Sequence, residues 1–173
     1  TKDADLIIKN INEVKLKDIK YSQFEHNNNI KLIGDDVDTS YINEIKNLSL
    51  RNDVDKSIKI VFTPLHGTGN KPIRRVLEEL GYDNITIVHE QESPDPDFST
   101  VKSPNPEEIS SFEIAIQRAK EVNGDIIIGT DPDCDRVGLV VKNCKEEFIA
   151  LNGNQTGALL LNFIQKKVIM ILL

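Results

Sequence analysis

The stretch Asp131-Pro132-Asp133-Cys134-Asp135-Arg136 places three carboxylates at alternate positions and an arginine directly after them. It follows Asp125-Ile126-Ile127-Ile128-Gly129-Thr130, an apolar run that reads as a buried strand. The acids are therefore expected in a sharp turn at a strand end. Two like charges about 4 Å apart repel by roughly 1 kcal/mol in water and about 4 kcal/mol at an effective dielectric near 20. Three converging carboxylates carry three such pairs, and a bound divalent cation would reverse the sign of the sum. Oxygen-only donors favour a hard ion, and Mg²⁺ in particular keeps some waters and often takes a phosphate oxygen. The plainer alternative is a solvated acidic turn, since Asp and Pro are common turn residues. A calcium-binding helix–loop–helix does not fit. It requires Gly at the sixth loop position and Glu at the twelfth, where this chain has Arg136 and Lys142.

Two other segments carry chemical signals. Thr63-Pro64-Leu65-His66-Gly67-Thr68-Gly69 lies between a strand and a helix in the pattern. Its glycines could let the backbone approach a phosphate at the helix N-terminus, or could serve a tight turn through positive φ. His66 is either a proton carrier or a hydrogen-bonded turn residue. Residues 90–104 form a long loop holding prolines 94, 96 and 104, and long loops in compact domains are often functional. Lys102 in it could meet a phosphate or simply be solvated. Cys134, set among three carboxylates that disfavour a thiolate, is expected to be a poor nucleophile and reads as a small filler.

Composition narrows the partners. The 173 residues are 39% hydrophobic and 28% charged, with net charge −7, which suits a folded globular core rather than disorder. Nucleic acid is disfavoured, because phosphate backbones need a basic face. Two cysteines, Cys134 and Cys144, make no disulfide scaffold and fit a reducing, cytoplasmic setting. The longest apolar run, residues 168–173, is too short to span a bilayer, so no membrane partner is expected. The chain starts at Thr1 and stops inside that apolar run; both ends are expected to be cuts through a longer protein.

The elements that must position these residues follow from periodicity. Ile7, Ile8, Ile11 and Val14 share one face of a short helix. Ile30–Ile33 reads as a short strand, and Asp38-Thr39-Ser40 as the cap of a helix carrying Ile42, Ile45 and Leu48. Then a clear alternation begins: strand 58–65, helix 72–80 ended by Gly81, strand 85–89, the long loop, a helix started by Asn105-Pro106-Glu107-Glu108 and stopped at Asn123-Gly124, strand 126–130, and strand 137–141. That order predicts an α/β fold, a three-layer α/β/α unit with a mainly parallel sheet. A new unit is expected from about 145, with a strand at 148–151, a helix carrying Leu159, Leu160, Phe163 and Ile164, and a further strand at 168–173.

With these segments in view, the chain resembles the α-D-phosphohexomutases, the phosphoglucomutase/phosphomannomutase family. The matching pieces are TPLHGTG at 63–69, SPDPDFSTVKSPNPEE at 93–108, GTDPDCDRVGLVV at 129–141 and LNGNQTGALLLNFI at 151–164, in that order. The proline-rich loop looks most like the phosphoglucomutase branch that also takes pentose phosphates. The resemblance implies residues 1–36 as the tail of a first domain with a connector, 37–144 as a complete second domain, and 145–173 as the start of a third. It implies Asp131, Asp133 and Asp135 as Mg²⁺ ligands and Arg136 as the neighbour facing phosphate, with His66, Gly67 and Lys102 as further candidate phosphate-binding residues. The implied activity is that of an isomerase-class phosphotransferase, moving a phosphoryl group between C1 and C6 of a hexose, glucose by expectation, through a phosphoserine and a bisphosphate. The phosphoserine, sugar-selecting and final phosphate-binding loops have no counterpart here, so no catalytic nucleophile is assigned within the chain. The phosphosugar and the remaining mutase domains are the expected partners, and the isolated chain is expected to be inactive.

Two rival readings remain at this stage. A haloacid-dehalogenase-type phosphatase also sets Asp-x-Asp after a strand, but a small hydroxyl residue usually follows where this chain has Asp135, and that motif normally opens its domain. A non-catalytic sugar-phosphate-binding or structural module would keep the fold without turnover.

Overall fold

Ile60-Val61-Phe62-Thr63 opens with three successive apolar residues, so it can be stable as a strand only if both of its faces are covered. In the computed structural model, which describes residues 1–21, 27–51 and 53–172 (the side chains of 167–172 excepted), these four residues form β1 and all are buried. β1 is flanked by β2 (Ile85–Ile87) and β3 (Ile126–Thr130), both parallel to it. β4 (Val137–Lys142) and β5 (Phe148–Leu151) continue the sheet antiparallel, in the order β2-β1-β3-β4-β5. The helices are α1 (Lys2–Glu13), α2 (Asp35–Asn47), α3 (Asn70–Glu79), α4 (Glu113–Val122) and α5 (Gly153–Leu172).

Val61, Ile127 and Val140 pack with Phe112 and with Ala115 and Ala119 of α4 into the main core. Alternation puts Ile60 and Phe62 on the opposite face of β1, and both are buried too. The expected α/β/α arrangement is present. The sheet itself is mixed rather than mainly parallel: the acid-bearing turn joins β3 to β4 as a hairpin, and a tight hairpin can only produce an antiparallel pair.

The chain divides into two units, Thr1–Asp38 and Thr39–Leu173. In the first, the Thr1 hydroxyl accepts from Ala4 N–H at 3.3 Å and caps α1, whose apolar residues Ile7, Ile8, Ile11 and Val14 are exposed. Residues 30–33 form no strand. α2 begins at Asp35, ahead of the expected cap. In the second unit Ile42 is buried, Arg75 of α3 donates to Thr39 Oγ1 at 2.9 Å, and Lys46 pairs with Glu79 at 2.7 Å.

Three further expectations change. The turn 105–108 closes on itself, Glu108 N–H donating to Asn105 O at 3.0 Å, and α4 starts only at Glu113 after a 3₁₀ turn at Ile109–Phe112. The delay lets Phe112 drop onto the sheet. Residues 148–151 form the expected strand, but it joins this sheet as the partner of β4. Residues 168–172 continue α5 as helix instead of forming a strand; Leu173 lies outside the described residues. Among the described residues no helix is long and apolar enough to cross a membrane. The end of α4 is as expected, with Asn123 in the left-handed region at φ 53°, and Gly81 likewise takes φ 86° after α3.

Gly129 and Gly138 are directly paired across β3 and β4, and together they open the slot that Phe112 fills. A Cβ on Gly129 would lie 2.5 Å from Phe112 Cε1, and one on Gly138 would lie 2.9 Å from Phe112 Cζ and overlap the Pro106 carbonyl oxygen. Gly138→Ala should therefore lower stability by about 1–3 kcal/mol, the usual cost of overpacking. Gly157→Ala in α5, where nothing lies within 4 Å, should instead be neutral or stabilising by up to about 1 kcal/mol. Urea midpoints compare the two; equal midpoints would refute the slot.

Candidate metal centre

Hairpin geometry aims the loop 131–136 out of the strand ends while anchoring its first residue. Asp131 is buried; its Oδ1 accepts Arg136 N–H at 2.9 Å and its Oδ2 accepts Arg136 Nε–H at 2.8 Å. Cys134 N–H donates to Asp131 O at 3.0 Å, with Cys134 in the left-handed region at φ 63°. Asp133 and Asp135 are exposed, and one oxygen from each of the three carboxylates lies within 4.8 Å of the others.

The electrostatics of the loop are polarised. Burial alone would push the Asp131 carboxyl up, but the Arg136 N–H and guanidinium outweigh it and hold the group below the usual carboxylate range. Asp135 is pushed up by its hydrogen bond with Asp131 and by the negative charges of Asp133 and Asp131. One carboxylate is thus stabilised as an anion while its neighbour gains affinity for a proton, as expected where positive charge is short. The donor set fits Mg²⁺: three carboxylates and no nitrogen ligand. Oxygens sharing one Mg²⁺ sit about 3–4 Å apart, which Asp133 and Asp135, exposed and rotatable, can reach from a 4.8 Å spread. The Cys134 side chain is exposed, with its sulfur against Gly69, 2.8 Å from where a Cβ there would stand.

The segment 63–69 is built against this loop. Thr68 N–H donates to Pro132 O at 2.9 Å, and its hydroxyl reaches the same oxygen at 3.2 Å. A Cβ on Gly67 would lie 2.5 Å from Pro132 Cα. What these glycines admit is the acid loop itself.

His66 is buried at φ 65° with both ring nitrogens engaged. Nδ1 is 2.7 Å from the Ser93 carbonyl oxygen, which can only accept, so Nδ1 carries the proton. Nε2 is then the acceptor for the Thr100 hydroxyl at 2.7 Å. Thr100 Oγ1 accepts from Gln91 Nε2 at 3.3 Å, and Gln91 Oε1 accepts from the Thr63 hydroxyl at 2.6 Å. Every donor finds an acceptor along this chain, and it ties the loop 93–100 to the end of β1. The Phe98 ring meets the His66 ring edge-on at 6.1 Å. In this arrangement His66 holds the loop. Lys102 is exposed and makes no hydrogen bond or ion pair among the described residues. Arg136 Nη1 donates to Asn105 Oδ1 at 3.0 Å, joining the acid loop to the turn 105–108. Sequence reading missed Gln91 and Thr100, which carry no motif, and took Asn105 for a helix cap.

A family model described as phosphoglucomutase/phosphomannomutase, alpha/beta/alpha domain II, matches residues 39–145. The chain belongs to this family. The match spans β1 to β4 and the whole acid loop. Among phosphoglucomutases, that of Staphylococcus haemolyticus is 44% identical over 126 residues, which are 72% of this chain and 23% of that protein. That of Staphylococcus epidermidis (strain ATCC 12228) is 43% identical over 106 residues, 61% of this chain and 19% of that protein. The chain therefore spans about a quarter or less of these relatives' length. A Thermus thermophilus protein described as a phosphomannomutase shares the fold, with TM-score 0.50 and 23% identity over 61% of this chain and 24% of that one. The chain is thus a phosphohexomutase fragment covering the second domain.

Two predictions come from the network around His66. Thr100→Val should leave His66 Nε2 and Gln91 Nε2 unpaired and cost about 1–3 kcal/mol. Lys102→Ala should change stability by less than about 0.5 kcal/mol. Both are read from urea unfolding, and a silent Thr100→Val refutes the network. The second concerns Asp95, whose carboxylate accepts from Asp97 N–H and from the Ser99 N–H and hydroxyl. The Ser99 bonds are the main cause that holds it down to about 2 from an ordinary 3.8. A depressed pKa means stability present above 3.8 and lost as pH falls through about 2. The Ser99 amide signal should shift in that window and should not in Asp95→Asn.

Proposed function

We propose that the parent protein is a phosphosugar mutase that interconverts hexose 1-phosphate and hexose 6-phosphate, with glucose as the sugar, through a phosphoserine and a bisphosphorylated intermediate. This chain contributes the Mg²⁺-binding loop. The observation that carries the reading is the convergence of Asp131, Asp133 and Asp135 within 4.8 Å on a hairpin inside the family-matched segment. The names of the phosphoglucomutase relatives support glucose.

When bound, Mg²⁺ would supply Lewis-acid stabilisation of a phosphoryl oxygen and neutralise charge developing during transfer. Asp131 provides the rigid end of the site, because Arg136 fixes both of its oxygens. Asp133 and Asp135 provide the adjustable end. Arg136, half-exposed at the rim, offers N–H groups to the phosphate, and Lys102 on the neighbouring loop adds a second positive charge to it. His66 and Gly67 serve that phosphate site indirectly: His66 holds the 93–100 loop, and Gly67 lets the 63–69 segment seat against Pro132. The phosphoserine and the sugar-selecting loops belong, on this reading, to the remaining mutase domains, and the setting is cytoplasmic. The isolated chain then has no turnover, since positioning of donor and acceptor, worth about 7–11 kcal/mol in well-oriented reactions, is missing.

Mg²⁺ or Mn²⁺ titration of the chain followed by NMR should perturb residues 131–136, and Asp133→Asn should abolish the effect. Metal must displace the proton that Asp135 holds above the usual carboxylate range, so affinity should fall as pH drops through that raised value. In the intact parent, Asp133→Asn should lower kcat by about 10²–10³-fold or more in a coupled glucose 1-phosphate assay with a bisphosphate activator. An unperturbed titration in Asp133→Asn, or metal-dependent turnover by the 173-residue chain alone, counts against the proposal.

A further inference from the structure

Arg136 is held at two nitrogens by groups on different loops. Nε donates to the buried Asp131 at 2.8 Å and Nη1 to Asn105 Oδ1 at 3.0 Å. A rotation of the guanidinium plane that relieves one of these bonds breaks the other, so the plane is set. Nη2 makes no hydrogen bond among the described residues, and the side chain is 46% exposed. The group is therefore fixed, with donors to spare, beside the cluster of carboxylates.

Asn105 is itself fixed. Its Oδ1 also accepts from Glu107 N–H at 3.1 Å, and its Nδ2 donates to Glu108 Oε1 at 3.3 Å, so the amide oxygen and not the nitrogen faces Arg136. Its carbonyl oxygen lies 2.8 Å from Ser111 Oγ and accepts from Glu108 N–H at 3.0 Å. The next residue, Pro106, is buried with its carbonyl against Gly138 of β4. The helix it was expected to cap begins eight residues later, at Glu113. Capping the short turn does not call for Asn over Ser, which is an equally good cap. Reach does: the serine hydroxyl is one bond shorter and cannot span to the guanidinium while it holds Glu107 N–H.

We propose that Asn105 is a positioning residue that orients the Arg136 guanidinium across the acid loop, leaving Nη2 to receive a phosphate oxygen. The identity of the anion rests on the mutase reading; the hold of Asn105 on Arg136 does not. A phosphate so bound would meet the guanidinium in a preset plane, which is the use to which arginine is best suited.

The test uses the chain with three side chains at position 105. Exchange of the Arg136 Nη1 hydrogens, which Asn105 accepts, with solvent is measured by ¹⁵N NMR without metal. Asn105→Ser should speed it by about two- to tenfold, the range for one lost hydrogen bond, while Asn105→Asp, which keeps the acceptor, should leave it slow. Inorganic phosphate is then titrated into the Mg²⁺-loaded chain. Asn105→Ser should weaken phosphate binding by about the same two- to tenfold and leave Mg²⁺ affinity unchanged. Wild-type exchange and wild-type phosphate affinity in Asn105→Ser would overturn the proposal, as would a wild-type chain whose Arg136 signal ignores phosphate. Failure of Mg²⁺ to bind 131–136 would sink the mutase reading alone, because the metal-free exchange comparison still decides the role of Asn105.

Discussion

A carboxylate that is taken out of water must be matched, and the match made for Asp131 organises this domain. Removing an isolated charge from water costs several kcal/mol even after relaxation. Asp131 is nevertheless buried, and its two oxygens are met by one residue, Arg136, through its backbone N–H and its guanidinium. Closing that contact makes 131–136 a tight loop and turns β4 back along β3. The same contact fixes where the other two carboxylates stand. They are left exposed and mutually repulsive, and that unresolved repulsion is the property a cation could use.

The surroundings of the loop are shaped by what must come close to it. Gly67 and Gly69 let the 63–69 segment lie against Pro132 and Cys134. Gly129 and Gly138 let Phe112 and the Pro106 carbonyl press onto the strands that bear the loop. Once seated, Phe112 draws the 105–108 turn to the rim, and Asn105 reaches Arg136 from there. Two segments distant in the chain, 63–69 and 105–112, are thus packed around one hairpin by the absence of side chains at four positions. The Thr63–Gln91–Thr100–His66 chain, buried except at the half-buried Thr100, braces the remaining loop. Such a network is specific because each member has one satisfied role, and a half-satisfied one would cost more than an apolar replacement.

The family membership and the geometry answer different questions. The matched segment and the relatives establish which fold this is and which proteins share it. Interactions within the chain account for how the loop is held. They also decide between the two readings of His66, whose ring nitrogens are both engaged as in a hydrogen-bonded turn residue.

Much was legible in the sequence because it depends on near neighbours. The apolar run 126–130 and the alternating acids after it specify a strand and an acidic turn locally. The helical pattern over 72–80 specifies α3, and Asn123 and Gly81 stop helices through their own backbone preferences. The motif order alone carried the family resemblance. What tertiary structure decided are the matters in which distant residues compete. Asn105-Pro106-Glu107-Glu108 has every local mark of a helix start, yet it forms a separate turn, because burying Phe112 in the Gly129–Gly138 slot outweighs the cap. Residues 30–33 have strand composition but form no strand, whereas 148–151 pairs along the open edge of β4. Gln91 and Thr100 gained their roles only when folding closed the distance to His66. Local chemistry is written in neighbouring residues; the choice among partners far along the chain is made by packing.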